Sequence, residues 1–325
     1  MDTLLHDLRY AGRMLRLHRG FTLITTITLA LGIGVNVGVF SIVHALLIRP
    51  LPYRDAARLV YVSEFWPHEP AVPSPVSPDF ENWRREGRLF DAMEAYGSGA
   101  SMNLAANGFE PERVSGVMVT SGFLDQLGIR LALGRNFTRE EDTLGGPAAV
   151  ILSDSLWRRR FGASGDILGK PVNLDGRAYT VVGVLPAAFV FPDNNFRSDL
   201  LIPMALPPNP NWHDERNFRI LRVLARLKPG VTLALLRAEL AGIVRNHASE
   251  EPPQFVTMRK DLQITVAPLR DRLSGDIRPV LVVLEGAVLM VLLIGCLNVA
   301  NLQIARAIPR QREFGIRAAL GAGGG

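Results

Sequence analysis

Twenty-eight consecutive residues, Phe21 to Ile48, contain no Asp, Glu, Lys or Arg. A helix needs about 20 predominantly apolar residues to cross a bilayer. The run predicts a transmembrane helix over 21–48, long enough to cross with tilt. A cleaved signal peptide is the weaker reading, because its apolar core spans only about 7–15 residues. A second apolar segment runs from about 279 to 305, with Glu285 near its outer end. The two runs bracket a mixed, Pro-rich stretch, 49–278, and set the frame for everything between them.

Charge follows the same division. The net charge is +5. The first 20 residues carry Arg9, Arg13, Arg16 and Arg19, and the last 20 carry Arg306, Arg310, Arg312 and Arg317. The centre is close to neutral. Basic ends beside apolar runs suit contact with membrane lipid. A nucleic-acid binder needs a basic face on the folded domain itself, so nucleic acid is excluded as a partner. Residues 1–20 predict an amphipathic surface helix, with Leu4, Leu8, Ala11 and Leu15 on one face. Basic residues flank both sides of the two runs equally, so the positive-inside rule leaves orientation open.

Within the first run, Ala30, Gly34 and Gly38 follow the spacing that lets helices approach closely in lipid, and Asn36 calls for a polar partner. Asn298 and Asn301 near the inner end of the second run predict helix–helix hydrogen bonds for the same reason.

The centre alternates strand and helix signals. Strands are expected at 59–65, 114–119, 148–152, 219–227 and 262–266. A helix opens at Ser77-Pro78, and Phe80, Trp83 and Phe90 recur near helical spacing. A short helix is expected after Ser121 as cap. Ser153 caps a helix that Gly162 stops, and another runs over 232–247. Asp175-Gly176 between two β-rich runs predicts a two-residue hairpin. The class is α+β with split βαβ units.

Catalytic chemistry has no signature here. Gly169-Lys170 lacks the remainder of a phosphate loop: Ser164 stands where its first glycine belongs, and Pro171 where its Ser or Thr belongs. The six histidines are scattered, Cys296 is alone, and Glu140, Glu141 and Asp142 read as a solvated turn. No catalytic, cofactor or metal residue is assigned, and the chain is expected to be a non-enzymatic membrane subunit.

Several motifs then converge on one family. Leu29-Ala30-Leu31-Gly32-Ile33-Gly34 with Arg49-Pro50-Leu51-Pro52-Tyr53 resembles the first span of MacB/FtsX-like ABC permeases, in the branch of duplicated orphan permeases. Leu297-Asn298-Val299-Ala300-Asn301-Leu302 with Arg312-Glu313-Phe314-Gly315-Ile316-Arg317-Ala318-Ala319-Leu320-Gly321-Ala322 resembles the second span and the helix after it. Gly134-Arg135-Asn136-Phe137 and Val182-Gly183-Val184 resemble the extracytoplasmic domain. The resemblance implies cytoplasmic termini in the bacterial inner membrane, a multi-pass topology and an outer domain of two lobes, 55–130 with 216–272 and 131–215. It also implies a separate ABC ATPase and a second permease copy or half as partners, with no bound cofactor. ATP-driven motion would pass to the outer domain for efflux, lipoprotein extraction or related work. Family members have at least four spans, and this chain ends after two on Gly323-Gly324-Gly325, so a truncated permease is expected.

The segment 306–325 is expected to couple to the ATPase through Glu313, Phe314, Gly315, Arg317, Leu320 and Gly321. Glu313 and Arg317 have the favoured order for an intrahelical pair. Gly315 and Gly321 are poor helix formers and point to close approach by another backbone. A two-span sensor with an outer ligand-binding domain is the alternative, and it would need a signalling domain or coiled coil after the second span.

Overall fold

The computed structural model describes residues 19–44, 50–65, 77–97, 100–105, 110–193, 198–204, 221–248, 261–274 and 278–319, with single positions at 6, 13, 17 and 75. The expected amphipathic helix at 1–20 lies largely outside them. The described chain forms two compact units: the terminal segments, Met1–Arg49 with Ser274–Gly325, and the domain Pro50–Leu273.

The domain contains one split sheet and one closed ring. In the sheet the order is β11-β1-β10-β2, formed by Gln263–Pro268, Leu59–Phe65, Arg222–Leu227 and Phe90–Tyr96. All three pairings are antiparallel. Strands β1 and β2 therefore run parallel to one another with β10 between them, connected through α2 (Ser77–Glu86). Strands β10 and β11 likewise flank β1 and are connected through α5 (Leu233–Asn246). These are two interlocked split βαβ units. Helices α2 and α5 lie together: the Trp83 indole donates to Leu240 O at 3.2 Å, and Trp83 is fully buried. The Glu239 carboxylate accepts from the amides of Arg88 (2.9 Å) and Leu89 (3.2 Å), fixing the entry to β2.

The ring comprises β3 (Ala100–Ala105), β4 (Glu112–Val119), β6 (Ala149–Leu152), β7 (Pro171–Leu174), β8 (Arg177–Val184) and β9 (Leu200–Pro203). Neighbours pair in the order β4-β3-β7-β8-β6-β9, and β9 returns to β4. The contacts β4–β9 and β6–β8 are parallel and the others antiparallel. The two-residue β5 (Leu133–Gly134) adds to β8. One residue pair, Tyr96↔Val119, links sheet to ring. Strands β3 and β4, which fall in the stretch expected for the first lobe, thus pair into the ring.

Both faces of β6 and β9 are covered. On β6, Val150 and Leu152 join the hydrophobic cluster of Trp83 and Leu240, while Ala149 and Ile151 join that of Tyr61, Tyr96 and Phe123. Such strands read as continuous apolar runs, not alternations.

Local chemistry accounts for the turns. Asp175 (φ 50°) and Gly176 (φ 86°) both take left-handed backbone between β7 and β8, as a two-residue hairpin demands. Helix α4 (Asp154–Phe161) is capped by the Ser153 hydroxyl, which accepts from the Leu156 amide at 3.1 Å, and it ends on left-handed Gly162. Thr232 caps α5 in the same way.

Four expectations need correction. Phe90 belongs to β2, not to a helix. Helix α3 (Phe123–Leu127) is preceded by Gly122 with no side-chain cap, and the Ser121 amide instead donates to Asp142 Oδ2 at 2.7 Å. The Glu140–Asp142 run is a turn, but only partly solvated: Glu140 is exposed while Glu141 is buried. Finally, the separate segments expected at 279–305 and 306–325 form one helix after α6 (Leu269–Ser274). This is α7, Arg278–Ala319, 42 residues long, and it continues through Pro309.

Candidate functional site

The residues expected to carry function fall on the apolar helices and at the end of α7, and two polar joints organise the domain. In the terminal unit, α1 (Arg19–Val43) packs against α7. A Cβ on Gly32 would lie 3.2 Å from Leu292 Cδ1, and one on Gly295 would lie 3.5 Å from Thr28 Cγ2. Rising numbers on α1 meet falling numbers on α7, so the helices are antiparallel. On α7 the less exposed positions are Leu281, Glu285, Val288, Leu292, Gly295 and Val299. That alternating four-three spacing is the seam of a coiled-coil-like contact.

The Asn36 amide donates to Gly32 O on its own helix (2.8 Å) and to Val288 O on α7 (3.3 Å). Ala30, Gly34 and Gly38 are exposed. A Cβ at Gly34 or Gly38 meets nothing within 4 Å among the described residues, so this stripe faces away from α7. Asn298 and Asn301 are also exposed. The small residues that admit the partner helix are Gly32 and Gly295, which no three-residue spacing rule singled out. Among the described residues one helical segment, Pro279–Asn301, is long and apolar enough to cross a membrane. The apolar part of α1, Thr25–Ser41, is shorter, and 45–49 lie outside the described residues.

The domain's polar joints are built around two arginines. Arg226 on β10 is 2% exposed. Its guanidinium donates to the carbonyls of Arg54, Asp55 and Gln126 and lies 3.8 Å from the Asp55 carboxylate. Burial holds the Arg226 pKa below the usual arginine value. It thereby clasps the turn that enters the domain to the end of α3. The Arg54 amide adds a bond to Leu127 O at 3.0 Å. Gly128 is left-handed (φ +74°), and a Cβ there would meet Arg54 Cβ at 2.5 Å. Arg58 reinforces the turn through Asp55 (2.8 Å), Asp91 (2.9 Å) and Leu227 O (3.0 Å).

The second joint is Gly134-Arg135-Asn136-Phe137. Gly134 has φ +77°, and a Cβ would lie 2.1 Å from Val182 O. Arg135 makes a bidentate pair with Glu141 (2.9 and 2.7 Å), whose carboxylate also accepts from the Thr138 amide. Glu141 is held below its ordinary pKa although burial opposes this, because the Arg135 hydrogen bonds outweigh it together with those from Thr138. Asn136 donates to Asp125, and Phe137 is buried. Each residue of this motif has a structural task.

Among the described residues, no group of three or more His, Cys, Asp or Glu could hold a metal ion. Of the expected coupling residues, Glu313, Phe314, Gly315 and Arg317 fall on the backbone of α7, with side chains outside the described set. Leu320 and Gly321 lie outside the described residues altogether.

The domain is thus a sheet of split βαβ units with an inserted closed ring. Residues 22–243 match the model of the MacB-like periplasmic core domain, and the chain belongs to that family. A domain assigned to a permease protein of Porphyromonas gingivalis aligns with TM-score 0.51 at 19% identity, covering 66% of this chain and 91% of that one. This likeness shows the fold. The periplasmic region of MacB from Actinobacillus actinomycetemcomitans aligns at 15% identity (TM-score 0.47; 69% and 94% coverage). The extracellular domain of the noncanonic ABC-type transporter YknZ from Gram-positive bacteria aligns at 19% identity (TM-score 0.45; 64% and 99% coverage). No curated protein matches the chain.

Proposed function

We propose that this chain is the permease subunit of an ABC-type machine and transmits motion driven by a separate ATPase across the inner membrane to its periplasmic domain. The observation that carries this reading is the family match over residues 22–243, on a domain whose two ends continue into apolar helices. In this reading α1 and α7 both cross the membrane, the termini are cytoplasmic and the chain itself hydrolyses nothing. The end of α7 supports the ATPase contact: helix continues past the apolar stretch to Ala319, so residues 306–319 can act as a stiff arm beyond the bilayer. Glu313, Phe314, Gly315, Arg317, Leu320 and Gly321 are the proposed contact.

Gly315→Leu tests the contact. It leaves charge unchanged and adds apolar area, so binding to lipid persists, while a closely approaching protein backbone clashes. With the chain co-expressed with its ATPase, co-purification of the ATPase is expected to fall while membrane insertion is retained. Unchanged recovery together with unchanged stimulated hydrolysis overturns the assignment.

A further inference from the structure

The domain holds an apolar loop away from its core. Residues 186–191 read Pro-Ala-Ala-Phe-Val-Phe and contain no charge. A turn closes the loop, with the Phe189 amide donating to Pro186 O at 2.9 Å. Phe191 is buried and anchors it: the ring stacks on Phe123 at 5.6 Å and meets Tyr96 edge-on at 5.1 Å. Phe189 is half-buried and edge-on to Phe191 at 6.1 Å. The next charge, Asp193, accepts from the Tyr96 hydroxyl at 3.0 Å. Ala187, Ala188 and Val190 are left exposed, Val190 at 56%. One exposed apolar residue is ordinary on a soluble domain. Three in one charge-free loop, on a backbone fixed by buried aromatic rings, make an apolar tip that the core does not use.

The loop's position in the domain selects what covers it. The Tyr53 hydroxyl donates to Val190 O at 3.0 Å. Leu51, Phe189 and Leu273 pack on the hydrophobic cluster that contains Tyr53 and Phe191. The loop therefore shares an edge with both points at which the chain leaves the domain. Leu51 follows Ile48, the end of the charge-free run, by three residues, and Leu273 precedes Pro279 by six. At about 3.6 Å per extended residue, these tethers reach at most roughly 11 and 22 Å. When α1 and α7 cross the membrane, they limit how far this edge can stand from the bilayer.

We propose that the loop 186–191 is a membrane contact of the domain, setting Ala187, Ala188 and Val190 against lipid of the periplasmic leaflet. Apolar area buried at the headgroup boundary supplies the attraction. The two tethers make the contact intramolecular, so a small patch suffices. The proposal rests on the reading that both helices cross the membrane.

Full chains with Cys296→Ser and one new cysteine, Val190→Cys, Asp175→Cys or Leu293→Cys, are labelled with the fluorophore NBD. They are reconstituted into phosphatidylcholine–phosphatidylglycerol vesicles containing lipid spin-labelled either near the headgroup or at mid-chain. Position 175 lies at the opposite end of β8 from the loop, about 26 Å away for eight strand residues. Leu293 is exposed within the apolar segment of α7. The headgroup-level label is expected to quench position 190 several-fold more than position 175, and the mid-chain label to quench position 293. Equal quenching at 190 and 175, with 293 quenched, overturns the loop contact and leaves the spans standing. No quenching at 293 overturns both. A label at 190 that is shielded from water yet unquenched by either lipid assigns the loop to a protein contact and also overturns the proposal.

Discussion

Replacing Arg226 with Met keeps an apolar stem of similar reach and removes the guanidinium. The carbonyls of Arg54, Asp55 and Gln126 then lose charged donors. An orphaned buried acceptor costs about 1–3 kcal/mol. The Gln126 carbonyl meets that condition, whereas Arg54 and Asp55 stand on an exposed turn and recover part of the loss from water. Relief of the desolvation that depresses the Arg226 pKa offsets some of the remainder. The net loss expected is about 3 kcal/mol, against a total domain stability of about 5–15 kcal/mol. For a domain of this size that corresponds to roughly 6–12 °C in Tm. Arg226→Lys retains the charge but lacks the planar fork that reaches both sides of the joint, and about half the loss is expected. Calorimetry of residues 50–273 reads the magnitude. Hydrogen exchange at the Arg54 amide, which is bonded to Leu127 O, reads the location. A Met variant within about 1 kcal/mol of the parent, or one with undiminished Arg54 protection, refutes the clasp.

Two further predictions concern the domain. Burial raises the pKa of Glu94, beneath the Gly122 turn, above its ordinary 4.5, so folding favours its protonated form. Its stabilisation is complete below about pH 4.5 and is lost as pH rises through the raised pKa. Glu94→Gln is therefore expected to flatten the fall in stability above pH 4.5, and urea midpoints across a pH series that stay parallel to the parent would disprove it. Gly134→Ala combines left-handed strain of about 1–2 kcal/mol with backbone displacement of about 1–3 kcal/mol, so urea unfolding should show a loss of about 2–5 kcal/mol. A loss below 1 kcal/mol would show that the β5–β8 contact yields freely.

Elements with local punctuation were legible in the sequence. Asp175-Gly176 specifies its turn through backbone that only such residues take easily, and Ser153, Gly162 and Thr232 mark helix ends by the bonds they make. Strand β2 was obscured because Asp91 and Glu94 interrupt its apolar pattern and Phe90 follows Trp83 at seven residues, a helical interval. Strand β9 has four residues, all buried, and its identity depends on β4 and β6 far away in sequence. Arg226 escaped notice for a related reason: one arginine among apolar strand residues looks like a solvent-facing position. Its face of the strand also carries Arg222 and, just beyond, Lys228, with Leu224 alone apolar between them, so no local signal marked its burial. In the helices, periodicity picked out Ala30, Gly34 and Gly38. The close approach to α7 depends instead on which residues the partner helix presents, and no single-helix pattern contains that.

The closed ring lies wholly between β2 and β10 in the chain. Its first strand begins at Ala100 and its last ends at Pro203, while the sheet waits for β10 at Arg222 and β11 at Gln263. As the chain emerges N-terminus first, every hydrogen-bonding partner within the ring is available before the middle strand of the sheet has been made. The inserted module can thus mature first and hold β2 in place through Tyr96↔Val119. The sheet is then completed by β10 and β11, and α7 is made last.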